Sequence, residues 1–106
     1  MVLALPPSRL TGTLPKEEQF GLISQMRRAA VATARNIVEG CARRSEADYL
    51  RFLDMAYGSA RELEYQVSLA DRLGLLPPDG HERLQAACIE TLKVLGGLIR
   101  AMRAQP

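Results

Sequence analysis

Residues 49–74 read YLRFLDMAYGSARELEYQVSLADRLG. Tyr49, Leu53, Ala56, Ala60, Leu63, Val67 and Ala70 recur there at alternating spacings of four and three. That is the period of one helical face, because residues three and four apart stack on the same side. A second row, Met55, Gln66, Leu69 and Leu73, lies on another side. Two rows to cover ask for more than one neighbour. The helix is therefore either central in a bundle or part of a subunit interface. In front of it, Ser45 and Asp48 have the spacing of a capping box, with Asp in place of the usual Glu. Behind it, Gly74 suits the position after the helix end, where a left-handed backbone favours glycine. These signals predict a helix from about Glu46 to Leu73.

The same period extends on both sides of this segment. From about Glu17 to Gly40, Ile23, Met26, Ala30, Thr33 or Ala34, Ile37 and Cys41 form a stripe, with Phe20, Val31 and Val38 as a second apolar edge. Pro15 fits a first helical position, and Glu17 and Glu18 fit the positive end of the helix dipole. From about Gly80 to Ala104 the stripe is Leu84, Cys88, Thr91, Leu95, Leu98 and Met102. Pro77–Pro78 stop the preceding helix, and Asp79 with Glu82 has capping-box spacing. Gly96–Gly97 in mid-helix cost about 1 kcal/mol each against Ala. A close backbone approach is the natural use for them, and Gly58 beside Ser59 reads the same way. Strict two-residue alternation is absent, so the fold class is all-α. At about 1.5 Å per residue the helices are about 35–45 Å long. Short connectors between helices of matched length imply antiparallel neighbours in an up-and-down bundle. The two-sided stripes ask for a fourth helix, yet Pro6–Pro7 break any long helix before Leu14. The first helix of the bundle is therefore expected to be shortened or missing.

A chain of 106 residues forms one domain, 1–106. No apolar run is long enough to span a bilayer. "MVLALPP" lacks the basic leader and cleavage site of a signal peptide, so the expected location is the cytoplasm. Cys41 and Cys88 form neither a CxxC pair nor a metal spacing, and read as small apolar residues in a reducing compartment. His81 is the only histidine, a first-turn residue facing solvent, so no metal site and no cofactor is expected. The net charge is +2, too small for a polybasic nucleic-acid binder by composition. It is unevenly spread, with six basic and three acidic residues in 16–44, against three basic and six acidic in 45–73. Opposite signs on consecutive helices favour pairing between helices or subunits.

On a helical wheel Arg28, Arg35 and Glu39 share the face opposite the core stripe, and Arg35 and Glu39 have the spacing of an i, i+4 pair. Arg27 lies beside the core edge and needs an acid, because an unpaired desolvated charge is costly. The expected partner is Glu64, or Glu62 across a subunit boundary. Arg43 and Arg44 end their helix. They complement the negative end of its dipole, or, with Arg28 and Arg35, contact phosphate. Asn36 and Glu39 are the only hint of an enzyme, and no nucleophile, base or metal partner accompanies them, so no catalytic residue is assigned. Gly58–Ser59 belong to no phosphate loop, because the G-x-x-x-x-G-K pattern is absent.

With these segments placed, LPKEEQFGLISQMRRAAVATARNIVEGCARRS, Leu14 to Ser45, resembles the first block of the bacterial four-helix-bundle proteins known as 23S rRNA intervening-sequence proteins. RFLDMAYGSARELEYQVSLADRLGLL, Arg51 to Leu76, resembles their second block. The resemblance covers roughly residues 14–100. It implies an up-and-down four-helix bundle that assembles as a homopentamer around a pore. It also implies RNA or DNA as a partner, since a related branch comprises accessory proteins of diversity-generating retroelements. Those proteins bind nucleic acid through a basic surface and contact a reverse transcriptase. Relatives carry a full first helix before LPKEE, whereas only MVLALPPSRLTGT precedes it here. The expectation is a non-enzymatic oligomeric bundle that binds nucleic acid through Arg28, Arg35, Arg43 and Arg44. The alternative is a protein-interaction scaffold without nucleic-acid binding.

Overall fold

The structure, a computed structural model, describes residues 16–105. They form three α-helices: α1, Lys16–Cys41; α2, Glu46–Arg72; and α3, Gly80–Arg103. No strand occurs among the described residues. The ends agree with the periodicity to within a residue or two. Pro15 and the Pro6–Pro7 break lie outside the described residues.

α1 and α3 each pack along α2 and make almost no contact with each other. α2 is thus the central helix, as its two-sided pattern requires. Leu53, Ala56, Ala60, Val67 and Ala70 of its main row are buried, and so are Gln66, Leu69 and Leu73 of the second. Met55 is the exception, at 45% exposed. Leu53 and Ala56 join Leu95 and Ile99 of α3 in one apolar cluster, against which Ile37 of α1 also packs. Burying a Leu or Ile fully contributes about 1.5–3 kcal/mol.

The outer helices bury only part of the stripes that the sequence suggests: Thr33, Cys88 and Leu95 are buried, and Ile37 and Met102 pack against the core. α1 buries Ala29, Thr33 and Gly40, while Ala30 and Cys41 are exposed. α3 buries Cys88, Leu95, Gly96 and Ile99, while Leu84 and Leu98 are exposed. The reason is the open arrangement. Each outer helix has α2 as its one extensive contact among the described residues, so only the row facing α2 is covered.

Helix ends separate the local signals that form from those that do not. Ser45 Oγ accepts from the Asp48 backbone N–H at 3.1 Å, so the N-cap of α2 forms as expected. Gly74 has φ 73°, and the Leu75 N–H donates back to the Ala70 carbonyl at 2.9 Å. Asp79 occupies the N-cap position of α3 but caps no N–H. Its carboxylate faces Arg83 at 3.4 Å, one turn on, in place of the predicted capping box. His81, expected to face solvent, lies 3.8 Å from Asp71. At the other end of α3, Arg103 bonds Asp54 of α2. Between α1 and α2 no ion pair is formed among the described residues.

The close helix approach is at Gly40, where the sequence pattern suggests only a helix end. A Cβ there would lie 3.0 Å from Phe52 Cβ and 3.1 Å from the Tyr49 ring. Gly96 meets Tyr57 at 3.4 Å, but a Cβ at Gly58 or Gly97 would touch nothing within 4 Å. The close-packing role expected for Gly58 and Gly97 is therefore absent among the described residues, because both lie on surfaces that no described helix covers.

Gly40→Ala should destabilise the fold by about 1–3 kcal/mol through overpacking. Gly97→Ala should be neutral or stabilising by up to about 1 kcal/mol through helix propensity. Urea unfolding of the two variants followed by circular dichroism checks the contrast.

Candidate nucleic-acid interface

The arginines singled out from sequence fall into two places. One is the turn between α1 and α2, the other the outer flank of the α1–α2 pair.

At the turn, Arg43 gives two bonds to one residue. Its Nε donates to the Glu39 carbonyl at 3.1 Å and its Nη2 to Glu39 Oε1 at 2.7 Å. The first is a second bond to that carbonyl, which also accepts from the Ala42 backbone N–H at 3.2 Å. The Arg43 guanidinium also lies 4.8 Å from the centre of the Phe52 ring. Arg51 lies 4.8 Å from the same ring and 3.6 Å from Asp48. Such cation–π contacts contribute about 0.5–1 kcal/mol at exposed sites. Arg44, next in sequence, is exposed and forms no ion pair among the described residues. It lines a shallow cleft of about 300 Å³ with Arg43, Ser45 and Cys41. The predicted Arg35–Glu39 pair does not form, because Arg43 holds Glu39.

On the outer flank, Arg27, Arg28 and Arg35 of α1 share a cleft of about 620 Å³ with Glu62 and Gln66 of α2. Arg28 reaches Ser24 Oγ, at 3.5 Å. The Arg27–Glu64 pair expected from sequence is not formed within the described residues. Glu64 instead faces Arg61 of its own helix at 3.7 Å. Arg27 is exposed, not desolvated, so the cost that calls for a buried partner does not arise. Glu62 lies in Arg27's cleft but makes no ion pair with it. Gln66 is 6% exposed, and its Oε1 has no hydrogen-bond partner among the described residues.

Sequence reasoning overlooks Arg51, Phe52 and Gln66. Arg51 next to Phe52, one turn after a helix start that follows two arginines, is the available signal for the first two. Gln66 stands in an otherwise apolar row, which is the signal for the third. Asn36 is half-buried, and Glu39 pairs with Arg43. No group of three or more His, Cys, Asp or Glu suited to a metal occurs among the described residues. None of the described helices is long and apolar enough to cross a membrane.

A model of the family described as 23S rRNA-intervening sequence protein matches residues 1–97. The chain belongs to that family. Comparison with curated proteins gave no match. The family match covers α1 and α2 completely and most of α3, so both arginine groups lie inside it.

The two cysteines differ sharply in this fold. Cys41 is exposed at the turn cleft, whereas Cys88 is buried. Burial, and then the nearby Glu64 carboxylate, push the Cys88 thiol up from its ordinary range. At pH 8 a thiol reagent should modify Cys41 at least about tenfold faster than Cys88. In urea the two rates should converge, which mass spectrometry of timed samples would show.

Proposed function

We propose that this family member is a non-enzymatic oligomeric bundle that binds nucleic acid through exposed arginines. The observation that carries the reading is that Arg28, Arg35 and Arg44 have no carboxylate partner among the described residues. Arg43, Arg51, Arg61, Arg83 and Arg103 all face an acid within the chain. An outward guanidinium without an internal acid is free to give its N–H donors to phosphate. Arg43 contributes less directly, since Glu39 and Phe52 hold it. The family's name ties it to ribosomal RNA genes, and this supports a nucleic-acid partner.

The uncovered apolar surface supports assembly. Phe20, Val31 and Val38 of α1 are 71%, 58% and 67% exposed, and Leu84, Val94 and Leu98 of α3 are exposed too. Apolar surface on this scale marks association. We propose that a fourth helix closes the bundle and that closed bundles associate as a homo-oligomer, a pentamer by family resemblance. The same apolar surface favours the second reading, a protein-interaction scaffold.

The test is binding of a fluorescent single-stranded RNA followed by anisotropy as salt is raised. Binding should be salt-sensitive and tolerant of sequence composition. Replacing Arg28, Arg35 and Arg44 together with Ala should weaken it at least about tenfold at low salt. It should also flatten the log–log salt dependence by about 0.7 for each phosphate that an arginine no longer engages. Equal binding by wild type and triple variant would refute the site, and light scattering of the same samples reads the assembly.

A further inference from the structure

Gln66 poses a problem that the fold does not answer. Its side chain is almost wholly buried, yet Oε1 has no hydrogen-bond partner among the described residues. Buried polar atoms are nearly always bonded, because an orphaned acceptor loses its hydration without replacement. Gln66 lines the 620 Å³ cleft between α1 and α2. That volume lies within the roughly 300–1,000 Å³ of small-ligand sites. Glu62 lines the same cleft, one turn before Gln66 on the same face of α2. Its carboxylate makes no ion pair among the described residues. The α2 wall therefore offers the exposed Glu62 carboxylate and, after a turn of the side-chain amide that brings its enclosed oxygen to the cleft, Gln66 Oε1. The α1 wall offers the opposite, the guanidinium donors of Arg27, Arg28 and Arg35. Between them Ala29 and Ala32 leave room for a flat group.

A matching ligand must bring an anion for α1 and adjacent N–H donors for α2. An acidic side chain of a protein partner fits the arginines but repels Glu62 and gives Gln66 no donor. A basic side chain has the reverse fault. A nucleotide carries both features. Among the four bases, guanine alone places two adjacent donor groups, N1–H and N2–H₂, on its pairing edge. Adenine and cytosine set a single amine beside an acceptor, and uracil sets one N–H between two carbonyls. Unpaired bases are commonly read on that edge.

We propose that the α1–α2 cleft holds one unpaired guanine nucleotide of a bound strand. Guanine N1–H and N2–H₂ donate to the Glu62 carboxylate and Gln66 Oε1, and the phosphate accepts from Arg27, Arg28 and Arg35. This rests on the nucleic-acid reading above and sharpens it, adding one base-selective position to otherwise sequence-tolerant binding.

The test compares a labelled uridine dodecamer with the same strand carrying one central guanine, using the full chain at fixed salt. Wild type should bind the guanine strand about tenfold tighter, within what one bidentate base contact supplies. Inosine in place of guanine, which lacks the N2 amine, should forfeit most of that gain. Glu62→Gln, an exposed change, should reduce the preference to under about twofold. Gln66→Met should do the same, with circular dichroism and thermal unfolding confirming that it folds. Equal wild-type affinity for both strands would overturn the guanine site and leave the arginine reading standing. Binding of neither strand would overturn both. If Glu62→Gln changes the oligomer mass and spares the guanine preference, the cleft is a contact between copies and the proposal fails.

Discussion

The architecture depends on α2 being packed from two sides by helices that scarcely touch each other. Ordinary bundles share their core among all members. Here the buried Leu53, Ala56, Ala60, Val67 and Ala70 on one helix serve both neighbours. Three of those five are alanines, which gain little from burial individually but let another helix come near. Longer side chains packed around Leu53 and Ala56 come from all three helices, Leu95 and Ile99 from α3, Ile37 from α1, and Tyr49, Leu50 and Tyr57 from α2 itself. This explains why α1 and α3 retain large uncovered apolar residues such as Phe20 and Val94. Their burial would require a surface that α2 does not have.

The same constraint divides polar work between the two faces of the α1–α2 pair. Where α1 turns into α2, Gly40 brings the helices so close that Phe52 and Tyr49 take the space a Cβ would need. Phe52 then supplies a ring for Arg43 and Arg51. Further along, the wall of α2 changes from aromatic to polar at Glu62 and Gln66. There the arginines of α1 face a cleft instead of a ring. One helix pair thus carries a held arginine group at its turn and a more exposed one along its flank.

What is legible in the sequence follows from which interactions are local. α2 can be read almost residue by residue, since a helix covered on two sides buries what its periodicity says. The Ser45 cap and the Gly74 turn can also be read, because both depend on a few consecutive residues. The buried rows of α1 and α3 cannot, since periodicity gives a stripe but not which part of it meets a neighbour. The stripe of α3 favours Leu98 over Ile99 for this reason, and the fold buries Ile99. Ion pairs are the least legible. Arg35–Glu39 and Arg43–Glu39 have the same spacing, and Glu39 pairs with the arginine that follows it, the order a helix favours. The orphaned Gln66 oxygen has no sequence signature beyond a polar letter in an apolar row.

The polar contacts at the two ends of α3 have a mechanical meaning. His81–Asp71 and Arg103–Asp54 lie at opposite ends of one helix. Sliding α3 along α2 by one turn would break both at once, so its register is fixed. α1 has no such pins on α2 among the described residues and is held by the shape of Ala29, Thr33 and Gly40. α1 packs on α2 at least as extensively as α3 does, so both outer helices are seated on α2, α1 by packing alone and α3 with an added polar contact at each of its ends.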